Sequence, residues 1–291
     1  MLFQQKSGKM DKFRADIYDK IILAENFKQR RAKENMARKI VVTGGKGGVG
    51  KTTVAVYIAA HLAKKGQRVV VCDADFGLNN VDVLAGVENL VDYDIVDVIE
   101  GRCRAKQALI KHPSYPNLYI LTSRQATPER YVSPQAMKLV LEGLASQFDF
   151  ILIDSPAGMD DGFHRAVAVA DEAIVVTTAQ VTALRDADKV VTALKGYHLT
   201  EIFLVINRMR GELLLSGECF SPKDIAGLLK LPLIGVLPDE YVLYEGDLRE
   251  IPAAVRMTAN NLLTGKKKLF DVTKRYGGFF GNVRRVLKRR L

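Results

Sequence analysis

Residues 44–53 read Gly-Gly-Lys-Gly-Gly-Val-Gly-Lys-Thr-Thr. An apolar, β-branched run, Ile40-Val41-Val42-Thr43, precedes them, and Val54, Ile58, Ala59 and Leu62 follow at helical spacing. Strand, glycine-rich loop and helix form the setting in which Gly45-x-x-x-x-Gly50-Lys51-Thr52 means a phosphate cradle. Glycines at 45, 47, 48 and 50 let the backbone of Gly45–Thr53, Val49 included, turn tightly and aim N–H groups inward. The helix opening near Lys51 adds its positive dipole end. Lys51 is placed to reach the outer phosphates and the Thr52 hydroxyl to sit on Mg²⁺, so the loop is read as a nucleoside triphosphate site.

Outward from the loop, apolar β runs alternate with helical segments. Strands are expected near 38–43, 68–73, 117–121, 149–154, 172–177, 201–206 and 233–237. Helices are expected near 51–65, 134–146, 162–170, 183–195, 221–229 and 252–264. Val69-Val70-Val71 and Ile151-Leu152-Ile153 are apolar on both faces, which implies a buried parallel sheet. The expected fold is therefore α/β: a doubly wound, mainly parallel sheet of the P-loop type, with helices on both faces and the ligand at the carboxyl ends of the strands.

Two expected strand ends carry acids. The second strand runs into Asp73-Ala74-Asp75, and Phe150-Ile151-Leu152-Ile153 runs into Asp154-Ser155-Pro156-Ala157-Gly158. An acid directly after a hydrophobic strand is the Walker B arrangement, which bonds a Mg²⁺ water or the loop's threonine. No Ser/His/Asp or Cys/His set is visible, which suits phosphoryl transfer, where positioning and charge neutralisation carry most of the work.

The net charge is +10 over 291 residues. Residues 1–39 hold +6 and residues 264–291 hold +9, leaving −5 for residues 40–263. The centre is mildly acidic and the ends are basic, so specific nucleic-acid binding by the central domain is not expected. Three widely spaced cysteines give neither a disulfide framework nor a zinc site and fit a reducing cytoplasm. No apolar run approaches the roughly 20 residues that span a bilayer.

The last residues, 278–291, read Gly-Phe-Phe-Gly-Asn-Val-Arg-Arg-Val-Leu-Lys-Arg-Arg-Leu. On a helix, Phe279, Phe280, Val283, Val286 and Leu287, with Leu291, fall within a sector of about 140°, and most of the cations take the opposite side. A basic amphipathic helix with leading aromatics is a membrane-surface signature, expected on an anionic bilayer. Half-burying six such side chains yields roughly 5–8 kcal/mol, and each cation near anionic lipid adds about 1 kcal/mol. Ordering a dozen residues costs on the order of 12 kcal/mol, so one tail is marginal and two linked tails bind with avidity. The expected organisation is a polar segment 1–35, a P-loop domain 36–264, a basic, flexible linker 265–277 and a membrane-targeting helix 278–291.

Lys46, inside the loop, has no duty in its own cradle, and Lys46-Gly-Gly-Val-Gly-Lys-Thr-Thr resembles the deviant Walker A motif of the MinD/ParA ATPases at every fixed position. Asp73-x-Asp75, Asp154-x-x-x-Gly158, Arg185-Asp186-Ala187-Asp188 and the terminal amphipathic stretch extend the resemblance to the MinD branch over about residues 36–291. Met36 begins the stretch at which such sequences ordinarily start, so residues 1–35 are either an extension or an early start. Asn79 replaces an arginine of the family's Gly-Leu-Arg-Asn-Leu-Asp run.

The resemblance implies ATP with Mg²⁺, a homodimer in which Lys46 reaches the partner's nucleotide, and dimer-activated hydrolysis. Asp73 would help hold the Mg²⁺ shell with Thr52 and Asp154, and Asp75 would position the attacking water. Asn207 would read the adenine edge, Pro238 would pack on the base, and Gly158 would let a switch loop sense the γ-phosphate. It implies a cytoplasmic protein, peripheral on the inner membrane face, that places the division septum. A MinC-type division inhibitor and a MinE- or DivIVA-linked topology factor would be its partners. FlhG-type control of flagellar number, ParA-type DNA partitioning and a nucleotide-binding scaffold without turnover remain as alternatives.

Overall fold

Runs of Val, Ile and Leu that leave no polar face form the strands. In the computed structural model, which describes residues 36–77, 80–123, 132–239 and 248–276, the central runs pair in parallel. The chain divides into Met1–Met36 and Ala37–Leu291, and the described fold belongs to the second unit. Its strands are β1 (Arg38–Thr43), β2 (Val69–Asp73), β3 (Ile110–Lys111), β4 (Leu118–Leu121), β5 (Phe150–Asp154), β6 (Glu172–Thr177), β7 (Glu201–Met209) and β8 (Leu233–Pro238). They form one sheet in the order β3-β4-β2-β5-β1-β6-β7-β8. All neighbours are parallel except β3 and β4 at the edge.

The helices are α1 (Lys51–Lys64), α2 (Val81–Ala85), α3 (Ile95–Ile99), α4 (Pro134–Ala145), α5 (Asp161–Ala168), α6 (Val181–Leu194), α7 (Gly211–Leu215), α8 (Pro222–Leu229) and α9 (Ala253–Thr264). Local chemistry sets several ends. The Ser133 hydroxyl accepts from the Ala136 N–H at 3.1 Å, with Pro134 at the first helical position of α4. Ser221 and Asp224 form a reciprocal capping box that opens α8. Gly265, in the left-handed region at φ 70°, stops α9.

Successive strand residues feed opposite faces. Ile40 and Val42 join the apolar layer under α1 and α9, while Val41, Ile151 and Ile153 join the layer under α4, α5 and α6. This two-faced burial is why the strands read as unbroken apolar runs. The strand order reverses about β1, which places β5 on one side of it and β6 on the other. The register sets Val42 beside Asp154, and Asp154 beside Asp73. The carboxyl ends of β1, β2 and β5 thus bring two acids to the foot of the loop after β1.

The seven expected strands and six expected helices are all present. The two-residue β3 and the five-residue helices α2, α3 and α7 are additions, too short to show a period. β7 continues three residues past its expected end, through Arg208, whose φ of 53° lies in the left-handed region. Through Tyr276, the basic stretch after α9 is laid on the domain rather than extended as a free tether. Val272 is buried, Phe270 packs on both apolar layers, and the Asn261 amide donates to the Lys268 carbonyl at 2.7 Å. The apolar residues interspersed among the lysines are what hold it.

Candidate functional site

The loop between β1 and α1 is wedged rather than open. A Cβ on Gly45 would lie 2.3 Å from the Asp186 carbonyl oxygen of α6, so only glycine lets the loop lie this close. Gly50 has φ 92°, and a Cβ there would meet the Asn207 amide nitrogen at 2.3 Å. Directly after Gly50, α1 begins with neither a side-chain cap nor an acid in its first turn. Its first N–H groups face the cavity with the positive end of the helix dipole, which suits an anion.

Below the loop sit the acids. The Thr52 hydroxyl donates to Asp154 Oδ2 at 2.6 Å, and Asp154 Oδ1, fully buried, has no partner. Burial pushes the Asp154 carboxyl up to about 7, against the Thr52 hydrogen bond and the nearby Lys51 ammonium, which favour its charged form. Lys51 is itself buried, and that burial lowers its pKa while Asp154 and Asp75 oppose the shift. Asp73 is held well above the ordinary carboxylate range, by burial first and by Asp154 second. Its oxygens accept from the backbone N–H groups of Asp75 at 2.9 Å, Asn80 at 3.3 Å and Val81 at 3.4 Å. Asp73 therefore shapes the loop that presents Asp75. An oxygen-only set with an orphaned buried carboxylate oxygen beside a threonine hydroxyl fits Mg²⁺, which binds through few protein oxygens together with phosphate and water.

Two adjoining cavities follow. The smaller, about 470 Å³, is lined by Gly47, Gly48, Gly50, Lys51, Thr52, Thr53 and Asp75, with Ala157 and Ser155 of the loop after β5. The larger, about 960 Å³, lies beyond the loop and is lined by Lys46, Gln180, Val181, Arg208, Arg210, Cys219 and Asp239, among others. Gly47, Gly48 and Arg208 line both, so the two are one cleft with a narrow end and a wider end.

The structure brings Gly47, Gly48, Gly50, Lys51, Thr52, Thr53 and Asp75 to one end, with Asp73 and Asp154 beneath. Lys46 is exposed on the far lip, on the side of the wider cavity. Asn207 is 3% exposed, and its amide nitrogen donates to the Val49 carbonyl at 2.9 Å, which leaves Oδ1 as the unpartnered acceptor. Its visible work is to tie the loop to β7. Pro238 is buried at the end of β8, and the next residue, Asp239, lines the wider cavity. Gly158, in the loop after β5, has φ 88°, in the left-handed region that favours glycine. Asn79, residues 1–35 and the membrane-reading residues Phe279, Phe280, Val283, Val286 and Leu287 lie outside the described residues.

Sequence reasoning did not assign Arg208. Among the described residues it is the one cation that lines both cavities. A cation directly following a buried β run was visible, but nothing in the spacing says that the backbone turns left-handed there and swings the side chain over the cleft.

A family model described as an AAA domain matches residues 37–202. Among curated proteins, the septum site-determining protein MinD of Synechocystis is 45% identical over 205 residues, covering 70% of this chain and 77% of that one. Among solved structures, the MinC:MinD cell division complex of Aquifex aeolicus superposes with a TM-score of 0.73 at 35% identity, over 80% of this chain and 97% of that one. The MinD protein of Pyrococcus horikoshii, solved with Mg-ADP, superposes with a TM-score of 0.70 at 30% identity, over 80% of this chain and 99% of that one.

Proposed function

The chain belongs to the family of MinD septum site-determining proteins, P-loop ATPases of MinD/ParA type, and from that premise we propose that it is an ATP-dependent, dimerising ATPase that sits on the membrane and recruits a division inhibitor. The observation that carries the reading is the convergence of Lys51, Thr52 and Asp75 on one small cavity, with Thr52 bonded to Asp154 below it.

In this reading ATP lies along the cleft with its phosphates in the 470 Å³ end and its nucleoside in the 960 Å³ end. The backbone N–H groups of the loop and the Lys51 ammonium hold the β- and γ-phosphates. Thr52 and Asp154 would hold Mg²⁺, Asp73 steadying the shell from behind, and the ion supplies charge neutralisation to the phosphates. Asp75, on the rim, orients the water that attacks the γ-phosphate. Asn207 braces the loop and offers Oδ1 toward the adenine, with Pro238 beside it. Lys46, exposed and with no ion pair among the described residues, reaches the nucleotide of a second copy and adds a further cation to the site there.

Dimerisation then joins two tails, and Phe279, Phe280, Val283, Val286 and Leu287 of each enter an anionic bilayer on the cytoplasmic face. Hydrolysis separates the pair and releases both. The Aquifex relative was solved with MinC, which supports a MinC-type partner here, with a MinE- or DivIVA-linked factor setting the distribution. ATP turnover with and without anionic vesicles tests the enzyme. Vesicles are expected to stimulate the wild type, and Lys46→Ala and Asp75→Ala to abolish the stimulation. Equal turnover by all three proteins would contradict the two-chain site.

A further inference from the structure

Arg165 lies on α5, and only 3% of it is exposed. Its guanidinium carbon stands 4.8 Å from the centre of the Phe76 ring, and Nη1 donates to the Val132 carbonyl at 3.1 Å. Phe76 is fully buried and follows Asp75 directly. α5 is the helix that follows the Asp154–Gly158 loop. One buried side chain therefore touches the segment that presents Asp75 and rides on the helix fed by the second loop of the phosphate end.

Packing alone does not call for an arginine here. A methionine would fill the same layer beside Phe163 and Ala166 without the desolvation cost that a buried charge carries. What arginine adds is a planar cation that stacks on an aromatic face and a fork that hydrogen-bonds a second segment. Asp75 is also steadied by its own N–H, which donates to Asp73, by its carbonyl, which accepts from the Ser123 hydroxyl at 3.1 Å, and by its Oδ1, which accepts from the Gly77 N–H at 3.2 Å. None of these three contacts involves the loop after β5.

We propose that Arg165 is a positioning residue that acts through Phe76. It fixes Asp75 over the phosphate end and makes the Asp75 loop and the Gly158 loop respond to nucleotide together. The inference rests on the hydrolytic reading above. Consecutive Cα atoms are about 3.8 Å apart, so a shift of the Phe76 ring moves the Asp75 backbone with it. A misplacement of about 1 Å at a reacting centre can lower a rate about a hundredfold.

The test uses the full chain as wild type, Arg165→Met, Arg165→Lys and Phe76→Leu. Its readouts are kcat and KM for ATP with anionic vesicles, affinity for a fluorescent ADP, Tm, and hydrogen exchange with a non-hydrolysable ATP analogue. Arg165→Met is expected to lower kcat about tenfold or more, with ADP affinity within about twofold and Tm preserved. Arg165→Lys, which keeps a cation over the ring, is expected to retain more of the rate than Arg165→Met. In exchange, the analogue is expected to protect residues 74–77 and 155–160 together in the wild type, and only one of the two stretches in Arg165→Met. Wild-type kcat with joint protection in Arg165→Met overturns the proposal. So does a kcat loss that merely follows a lower Tm or weaker ADP binding. Should Arg165→Met not fold, Phe76→Leu takes its place, and wild-type kcat with joint protection there overturns the proposal equally. A wild type that binds nucleotide without turnover removes the hydrolytic reading, and the exchange arm still decides the coupling.

Discussion

At the phosphate end of the cleft, the groups that face the cavity come mostly from strand ends and the turns that follow them. Lys51 and Thr52 follow β1, Asp75 follows β2 and Ala157 follows β5. At the wider end the lining is drawn from the turn before α6, from Arg208 and Arg210, and from the loop between α7 and α8. The first end is held through the backbone of its loops, which neighbouring groups clamp directly. The loop is jammed against Asp186 and Asn207, and Asp73 accepts three N–H groups of the Asp75 loop. The second is buttressed from outside, where the Val272 backbone and the Tyr276 ring press on Gly211 of α7 so closely that a Cβ there would collide with both. The difference teaches that the loop after β1 is wedged in place before any ligand arrives, whereas the wider end has more room for its ligand. Chemistry should therefore be lost sharply at one end and binding gradually at the other.

The largest effects are expected at the phosphate end. Lys51→Ala should raise the Kd for Mg-ATP about a hundredfold or more, by removing a buried cation aimed at the phosphates. Asp75→Asn should leave binding in place and lower kcat about 10²–10⁴-fold, read by steady-state turnover beside equilibrium dialysis. Loss of ATP binding in Asp75→Asn would break the division of labour between the two residues.

Next in size is a pH effect of the buried acids. Asp154 titrates near 7 in the fold and near 3.8 outside it, so its folded form holds a proton that the unfolded chain gives up. The stability this lends is complete below about pH 4 and is lost as the pH rises through 7. At roughly 1.4 kcal/mol per unit this is on the order of 4 kcal/mol. Asp73 shifts in the same direction. Thermal melts of nucleotide-free protein with a chelator should give a higher Tm at pH 5 than at pH 8, with a smaller difference in Asp154→Asn.

Smaller still is Gly45→Ala, where the new methyl group must displace the Asp186 backbone or the loop. It should cost about 1–3 kcal/mol in stability, measured by denaturant unfolding. At the wider end, Arg208→Ala should raise KM for ATP a few-fold with kcat nearly unchanged. A fall in kcat instead would mean that Arg208 belongs to the chemistry.

The same contrast explains what the sequence could reveal. The strand-loop-helix context around Gly45–Thr53 and the acids at the ends of β2 and β5 were legible because the carboxyl ends of parallel strands bring such residues together at one cleft by construction. The all-apolar strands announced burial on both faces. Arg208 was not legible, because its direction follows from a left-handed backbone at a residue other than glycine. The bond from Asn207 to Val49 joins residues 158 positions apart and leaves no local pattern. The seating of 265–276 depended on Phe270 and Val272, two apolar residues within a stretch whose charges dominate its composition.

The most direct test of the proposed cycle is co-sedimentation of the protein with anionic phospholipid vesicles under ATP and under ADP, for the full chain and for a chain ending at residue 278. The account predicts that the full chain pellets with ATP and stays in the supernatant with ADP, and that the shortened chain stays in the supernatant under both. Equal binding with ADP, or ATP-dependent binding that survives removal of residues 279–291, would contradict it.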